Sequence, residues 1–325
     1  MPARLDEGGP PARCAVLVVG AGPAGSACAR LLAQAGKSVC LVDAQVFPRD
    51  KTCGDGLIPD AFAALTELGL AERVQARMAP ATDAYCQGPR GGALRVPGRL
   101  GVLRRRELDH LLLEGAREAG AIVVTPWRLS GLVERPSDQR VIGVRLRQGQ
   151  QERQIEADWV VLATGASLEP LLLSGLCTRR TPSSMGARAY VYHPGLTVSD
   201  AELRFIWHPE LSPGYAWIFP LGHGHFNVGV GLDGVDQRSR KSRGSSSGHQ
   251  GNLRSLFERF CEVDPVAREL KQNGAWEGDL KGAPMRCDLD GAQWHRAGLL
   301  LAGEALGSTF AFTGEGIGKA LETGM

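Results

Sequence analysis

The sequence predicts an α/β protein in which a discontinuous Rossmann-like domain is interrupted by an inserted, mainly antiparallel β-sheet. Three observations support this prediction. A glycine motif between an apolar run and a helical pattern lies near the start of the chain, at residues 20–25. An apolar strand, an acid and a glycine loop lie near its end, at residues 299–318. Between them, residues 185–231 alternate apolar and polar side chains and are rich in aromatics, which is typical of antiparallel strands.

The first motif has the context of a nucleotide-binding turn. The unbroken apolar run 15–19 predicts a buried parallel strand, and Gly20-Ala-Gly-Pro-Ala-Gly25 follows it directly. Its glycines permit a tight turn, close approach of the backbone to a pyrophosphate, and close packing of helix on strand. A helix over 26–35 and a strand over 38–43 come next. That strand ends in Asp43, where a carboxylate can accept hydrogen bonds from ribose hydroxyls.

The closing segment combines three features that suit a polar ligand with an anionic end. An apolar strand at 298–302 leads to Glu304, and a glycine loop then precedes a helix that begins after Thr313. The N-terminus of a helix attracts negative charge and offers free backbone N–H groups. Because the sequence shows no second strand, glycine turn and helix, we expect one bound dinucleotide and not two.

Composition limits the classes of function. At 325 residues with 43% hydrophobic content, the chain can form one large or two modest cores. A net charge of +2 gives no indication of nucleic-acid binding. Eight cysteines without a C-x-x-C pair argue against a zinc site or a dithiol centre and favour a reducing cytoplasm. No run reaches the roughly 18 apolar residues of a membrane-spanning helix.

The predicted domain organisation is discontinuous. The nucleotide-binding domain is expected over 14–80, 98–170 and 285–325, and the substrate domain over 81–97 and 171–284. Residues 1–13 are expected to be a loose tail without a signal peptide, and the polar low-complexity segment 233–252 a flexible loop. Periodicity further predicts helices over 59–75, 106–117, 253–263 and 265–272, a hairpin over 141–155, and separate strands over 121–124 and 159–163.

Four segments, taken in order, resemble the geranylgeranyl reductase family of FAD-dependent oxidoreductases, within the p-hydroxybenzoate hydroxylase-like group. They are Gly20 to Gly25, Lys51-Thr-Cys-Gly-Asp-Gly-Leu57, Gly214-Tyr-Ala-Trp-Ile-Phe-Pro220, and Gly303 to Gly318. The resemblance extends from Cys14 to the last residue, and relatives continue beyond the position of Met325. It implies one FAD in the split domain, with the isoalloxazine ring facing the inserted sheet. It also implies reduction of carbon–carbon double bonds in an apolar prenyl substrate by hydride transfer from N5 of the reduced flavin.

The resemblance also implies the site residues. Cys53 is expected to donate a proton or contact the substrate, although a merely packed cysteine remains an open alternative. Tyr215 and Trp217 share one strand face, which suits a tunnel for an apolar chain or the core of the sheet. Asp55 is expected to bond turn amides, and no metal site is predicted, since His223 and His225 fit a turn. The implied cofactor-binding residues are Gly20, Gly22, Ala24, Gly25, Asp43, Lys51, Gly54, Gly56, Arg105, Gly303, Glu304, Gly314, Gly316 and Ile317.

Two further functions remain open on the sequence. A flavin monooxygenase, or a halogenase, can use the same fold, although Tyr215 replaces the first tryptophan of the halogenase segment Trp-x-Trp-x-Ile-Pro. A non-catalytic flavin-binding or maturation partner is suggested by Glu304 in place of the family's aspartate and Ala311 in place of its proline. The expected partners are an apolar small molecule and an electron donor, either NAD(P)H or a ferredoxin-like protein. We also expect peripheral membrane contact through the substrate and no nucleic acid.

Overall fold

The computed structural model describes residues 9–177, 179–196, 198–199, 201–234 and 252–325. Most of the predicted tail and most of the predicted flexible loop therefore lie outside the described residues. The described residues contain two β-sheets and the helices that pack on them. No described helix is long and apolar enough to cross a membrane.

The first sheet has the parallel centre that the first motif predicts. Its strand order is β16-β17-β9-β1-β2-β6, and β1, β2, β6, β9 and β17 run parallel. Val18 of β1 pairs with Leu41 on one side and with Val161 on the other. The strands are β1 (Arg13–Val19), β2 (Val39–Val42), β6 (Ile122–Val124), β7 (Arg128–Glu134), β8 (Val141–Gln148), β9 (Gln151–Leu162), β16 (His295–Arg296) and β17 (Leu299–Leu301).

The prediction of separate strands at 141–155 and 159–163 is wrong in one respect. Residues 151–162 form one strand, β9. Its first half pairs antiparallel with β8, and its second half pairs parallel with β1 and β17. The strand continues because residues 155–159 contain neither glycine nor proline to interrupt it. The first four residues of β9 are exposed, burial alternates over 155–158, and residues 160–162 are all buried, so the two ends of the strand have different patterns and its continuity was not evident.

The second sheet is mainly antiparallel, as predicted. The order of its strands is β14-β10-β13-β12-β11-β4-β5-β3, and β15 also pairs with β10. Among the described strand pairs of this sheet, β11 and β4 are parallel. Residues 79–80 and 98–102, which the sequence placed with the nucleotide-binding domain, pair in this sheet. The division into domains remains a prediction. The strands are β3 (Gly56–Leu57), β4 (Ala79–Gln87), β5 (Ala93–Val102), β10 (Ser184–Tyr192), β11 (Glu202–Ile206), β12 (Gly214–Gly222), β13 (His225–Asp233), β14 (Ala275–Trp276) and β15 (Lys281–Met285).

The helices lie close to their predicted positions. The first begins at Pro23, three residues early, because proline is favoured in the first turn. The helix predicted over 59–75 is two helices, separated near Gly69, whose φ is +67°. The helices are α1 (Pro23–Gln34), α2 (Pro59–Glu67), α3 (Ala71–Gln75), α4 (Arg105–Glu118), α5 (Leu168–Ser174), α6 (Leu253–Val263), α7 (Pro265–Asn273) and α8 (Ile317–Gly324).

The carboxyl ends of the parallel strands in the first sheet and one face of the second sheet are directed at a common space. Apolar side chains cover both faces of the first sheet, and α1 packs on α4 and α8. One face of the second sheet packs on α6 and α7 through Phe257, Phe260 and Leu270. Its opposite face, with Trp217 and Phe219, is directed at the carboxyl ends of the parallel strands, where open α/β sheets bind their ligands.

Candidate active site

A cavity of about 860 Å³ lies between the two sheets. Residues from both predicted motifs and from the aromatic strand line it, so distant parts of the chain meet there. Gly25 and Gly303 are predicted cofactor ligands that do not line it. The predicted residues that do are Gly20, Gly22, Ala24, Asp43, Lys51, Cys53, Gly54, Gly56, Arg105, Tyr215, Trp217, Glu304, Gly314, Gly316 and Ile317.

The turn after β1 has room for a phosphate group. Gly20 has a φ of +103°, and a Cβ atom there would lie 2.3 Å from the Ala163 carbonyl oxygen. At Gly22, the nearest atoms to an added Cβ would be guanidinium nitrogens of Arg49 and Arg105, at 3.7 and 3.9 Å. Gly22 is also the N-cap of α1, where no side chain caps the helix. Two cations and a helix N-terminus therefore face the same open space.

Gly25 and Gly303 do not line the cavity but allow close packing of the elements around it. A Cβ at Gly25 would lie 1.8 Å from the Gly20 carbonyl oxygen, so only glycine lets α1 approach the turn this closely. Gly303 has a φ of +65°, and its added Cβ would lie 2.8 Å from the Ala24 side chain. The two glycines thus hold α1 against the turn and against the closing segment.

Asp43 fixes the turn from the end of β2. Its Oδ2 accepts a hydrogen bond from the Ala21 backbone N–H at 2.8 Å, and its Oδ1 accepts from that of Gln45 at 2.9 Å. The carboxylate lines the cavity while making both bonds. Asp43 can therefore bind a ribose hydroxyl only through its remaining lone pairs, and it also stabilises the turn itself.

A buried ion cluster lies beside the turn. Arg105 is the first residue of α4, and its Nε and Nη2 donate to the two carboxylate oxygens of Asp109 at 2.6 and 2.8 Å. Arg49 Nη1 lies 3.0 Å from the same carboxylate. Burial opposes the charge on Arg105, but Asp109 holds the pKa of that guanidinium above its ordinary value. Arg49 Nε also lies 4.0 Å from Asp43 Oδ2, so two guanidinium groups meet two carboxylates here. The sequence predicted Arg105 and Asp43 at this site but not Arg49 or Asp109.

The loop 51–57 brings the Cys53 thiol to the cavity. Burial raises the pKa of this thiol, and the Arg105 guanidinium offsets part of the effect. The thiol is therefore protonated at neutral pH. The backbone carbonyl oxygen of Cys53 accepts a hydrogen bond from Asn227 Nδ2 at 2.8 Å, which connects the loop to the second sheet.

Asp55 is the most constrained residue of this loop. It adopts a left-handed backbone conformation, with φ at +64°, and its side chain is fully buried. Its carboxylate accepts hydrogen bonds from the Arg105 backbone N–H at 3.1 Å, Tyr190 OH at 2.6 Å and Asn227 Nδ2 at 2.8 Å. Burial raises its pKa to about 6, although these bonds oppose the increase. The amide it binds thus belongs to α4, not to its own turn as the sequence predicted.

Three aromatic rings form a continuous surface on β12. Tyr215, Trp217 and Phe219 share one face, with centroid separations of 5.9 and 6.3 Å between successive rings. Gly229 and Gly231 lie behind them, and an added Cβ would come within 2.2 Å of Trp217 and 2.4 Å of Tyr215. Gly54 and Gly56 let the Cys53 loop approach Phe219, since their added Cβ atoms would be 3.2 and 3.1 Å from that ring.

The polar atoms of these rings are already paired. Tyr215 OH donates to the Thr313 carbonyl oxygen at 2.6 Å, and Trp217 Nε1 donates to Asn227 Oδ1 at 2.9 Å. Asn227 was not predicted, although its place among the glycines of β13 could have singled it out. It connects the aromatic face, Asp55 and the Cys53 loop.

The closing segment lines the opposite wall. Glu304 Oε1 accepts from the Arg286 backbone N–H at 3.3 Å. Gly316 is the N-cap of α8, and Glu315 Oε1 accepts from the Gly318 backbone N–H in the first turn at 2.6 Å. The buried Thr164 hydroxyl has no hydrogen-bond partner among the described residues and lies at the cavity. The open cradle at Gly22, the guanidinium groups that face it, the uncapped N-terminus of α1 and the unpaired hydroxyl fit a dinucleotide such as FAD. No cluster that could hold a metal ion occurs among the described residues.

Comparison with known proteins identifies FAD-dependent relatives. The family described as FAD binding domain matches residues 13–167. A menaquinone reductase of Mycolicibacterium smegmatis is 32% identical, over 96% of this chain and 75% of that protein. Digeranylgeranylglycerophospholipid reductase 2 of Methanopyrus kandleri is 28% identical, over 95% of this chain and 74% of its own.

Solved structures share the fold. A geranylgeranyl bacteriochlorophyll reductase-like protein of Thermoplasma acidophilum has a TM-score of 0.78 and 25% identity, over 96% of this chain and 76% of that one. A flavin-dependent brominase has a TM-score of 0.76 and 19% identity, over 96% of this chain and 77% of that one. At this level of identity, the similarity shows only that the two proteins share a fold.

The fold, the cavity and these similarities define an FAD-dependent oxidoreductase. Within that class, the chain belongs to the geranylgeranyl reductase family, as its motifs predicted.

Proposed function

We propose that this protein reduces carbon–carbon double bonds in the isoprenoid chain of an apolar lipid. The observation that carries the proposal is the continuity of one cavity from the cationic turn at Gly22 to the aromatic face of β12. When bound, FAD supplies hydride from N5 of its reduced form. Menaquinone and digeranylgeranylglycerophospholipid, which the names of two relatives specify, both contain isoprenoid chains.

The aromatic face suits the positioning of an alkene. Tyr215, Trp217 and Phe219 are each almost fully buried, and the hydrogen bonds of Tyr215 and Trp217 leave their polar atoms occupied. An apolar surface of this kind excludes water and can contact a hydrocarbon chain along all three rings. It offers little to a polar substrate.

In the proposed reaction, Cys53 supplies the proton that completes reduction of the double bond. Its raised pKa keeps the thiol protonated at neutral pH, and it lies on the wall between the cationic turn and the aromatic face. We assign cofactor binding to the predicted glycines, Asp43, Lys51, Arg105 and Glu304, and add Arg49 because its guanidinium faces Gly22. The electron donor, NAD(P)H or a ferredoxin-like protein, is part of the proposal.

A direct test uses FAD-loaded protein that is photoreduced without oxygen. We expect geranylgeraniol to restore the absorbance of oxidised flavin, whereas its fully saturated analogue does not. Reoxidation by oxygen alone, with oxygen appearing in an added aromatic substrate, would contradict the reductase and favour a monooxygenase. Failure of the protein to take up FAD would contradict both and favour a non-catalytic partner.

A further inference from the structure

The second sheet extends the aromatic face beyond the three rings of β12. Side chains directly opposite each other on neighbouring strands lie on the same face of a sheet. Trp217 on β12 pairs with Phe205 on β11, and Phe205 pairs with Cys86 on β4. Cys86 in turn pairs with Leu94 on β5. This row of side chains crosses four strands, from the cavity centre to the outer part of β5.

A second row runs beside the first. Val96 on β5 pairs with Ala84 on β4, and Ala84 pairs with Leu203 on β11. Leu203 packs in one cluster with Phe219, and the rings of Phe205 and Phe219 lie 5.0 Å apart. Every member of both rows is apolar. Together the rows form a floor about 14 Å across, which corresponds to three steps between neighbouring strands.

The outer end of this floor is open. Leu94 and Val96 are 64% and 46% exposed, which is unusual for large apolar side chains that continue a cavity wall. Phe312 is 68% exposed, lines the same cavity, and stacks on Trp207 with centroids 4.7 Å apart. Trp207 directly follows β11, and its backbone N–H donates to the Gln87 carbonyl at the end of β4. The opening therefore lies between β5 and Phe312.

We propose that the substrate chain crosses β12, β11, β4 and β5 in that order and leaves the protein between Val96 and Phe312. Ala84 and Cys86 are then the residues that determine how long a chain can be accommodated, because their small side chains leave space where the path crosses β4. The only strong hydrogen-bond donor among the side chains of the floor is Trp217 Nε1, and it already donates to Asn227 Oδ1. A hydrocarbon chain is the occupant that such a surface fits.

This inference rests on the proposed function for the identity of the chain, but its test needs no turnover. Oxidised, FAD-loaded protein is titrated with geraniol, farnesol and geranylgeraniol, which differ only in the number of isoprene units. Binding is followed by the change in flavin absorbance and by calorimetry. For the unsubstituted protein, affinity should increase with each added unit, because each one buries further apolar surface on the floor.

The decisive variant is Ala84→Phe, which places a ring across the path at β4. We expect its Kd for geranylgeraniol to increase by about tenfold or more, while its Kd for geraniol stays within about twofold. The matched control is Ala93→Phe, since Ala93 is exposed and points to the opposite face of the same strand pair. Neither change touches a residue placed at the cofactor, so the ratio of FAD to protein should not change.

If Ala84→Phe weakened the binding of geraniol and geranylgeraniol equally, the proposed path would be overturned. The same holds if Ala93→Phe weakened geranylgeraniol binding as much as Ala84→Phe does. If Ala84→Phe does not fold, Val96→Arg at the opening provides the same comparison, with the same two contradicting outcomes. Chain-length-dependent binding without flavin reoxidation would contradict the proposed reaction and leave the path supported. Absence of alcohol binding to the unsubstituted protein would overturn both.

Discussion

Cys53 and Asp55 lie two residues apart, and burial raises the pKa of both, with different chemical results. The thiol becomes a weaker acid that retains its proton at neutral pH. The carboxyl is brought from an ordinary pKa of 3.8 to about 6. The first residue is suited to donate a proton, and the second to hold the loop in place.

Removal of the thiol tests its assigned role. Cys53→Ala should retain FAD but reduce isoprenoid-dependent flavin reoxidation by on the order of a hundredfold, because a positioned acid contributes about that much or more. The rate of flavin reoxidation in Cys53→Ser should lie between those of the unsubstituted protein and Cys53→Ala, since a hydroxyl can still donate a proton. Full activity of Cys53→Ala, or loss of FAD from it, would be inconsistent with a proton donor.

Asp55 should make the stability of the fold depend on pH. Its pKa is higher in the folded protein, so its contribution is fully present below about pH 4 and is lost as the pH rises through about 6. Between pH 4 and 7 the unsubstituted protein should lose about 2 kcal/mol relative to Asp55→Asn, which cannot titrate there. Urea unfolding at both pH values measures this difference. Identical pH profiles would show that burial does not shift Asp55 as described.

Asp43 should contribute to cofactor affinity through the turn that it holds. Asp43→Ala removes the acceptor of the Ala21 N–H and the carboxylate at the cavity, so the Kd for FAD should increase by about tenfold or more. Asp158→Ala removes an exposed acid that pairs with Arg13 at the start of β1, the end of that strand away from the turn, and should leave FAD affinity unchanged. Fluorescence titration of the apoprotein with FAD compares them, and equal affinities would refute the assignment.

At the scale of elements, local sequence patterns predicted individual strands and helices, but they did not predict contacts between residues that are distant in the chain. The strand, turn and helix around Gly20 were evident because each leaves a local signal in glycine spacing or periodicity. The continuity of β9 was missed because its partners change along its length. Arg49 and Asn227 were missed for a related reason: their roles depend on partners 60 and 172 residues away, Asp109 and Asp55.

The packing of α1 on the turn can be tested at Gly25. Gly25→Ala would place a methyl group 1.8 Å from the Gly20 carbonyl, so α1 must shift. We expect a loss of about 1–3 kcal/mol or more in the free energy of unfolding, together with weaker FAD binding. Gly98→Ala meets nothing closer than 3.8 Å and serves as the control. Similar stabilities for the two variants would contradict the close packing.

At the scale of the whole molecule, the site exists because two unlike surfaces meet. The carboxyl ends of the first sheet contribute the turn, the buried ion cluster and the N-terminus of α1, and the second sheet contributes an apolar face. Asp55 and Asn227 join the two through bonds to α4, β10 and the Cys53 loop. A charged cofactor and a hydrocarbon can therefore occupy adjoining parts of one cavity.

The central claim, reduction of an isoprenoid double bond, is tested most directly by the mass of the lipid after one turnover. FAD-loaded protein is photoreduced without oxygen, mixed with geranylgeraniol, and the extracted lipid is analysed by mass spectrometry. The account predicts a product that has gained two hydrogens, in an amount that matches the flavin reoxidised. Unchanged lipid, or lipid that gains oxygen once air is admitted, would contradict it.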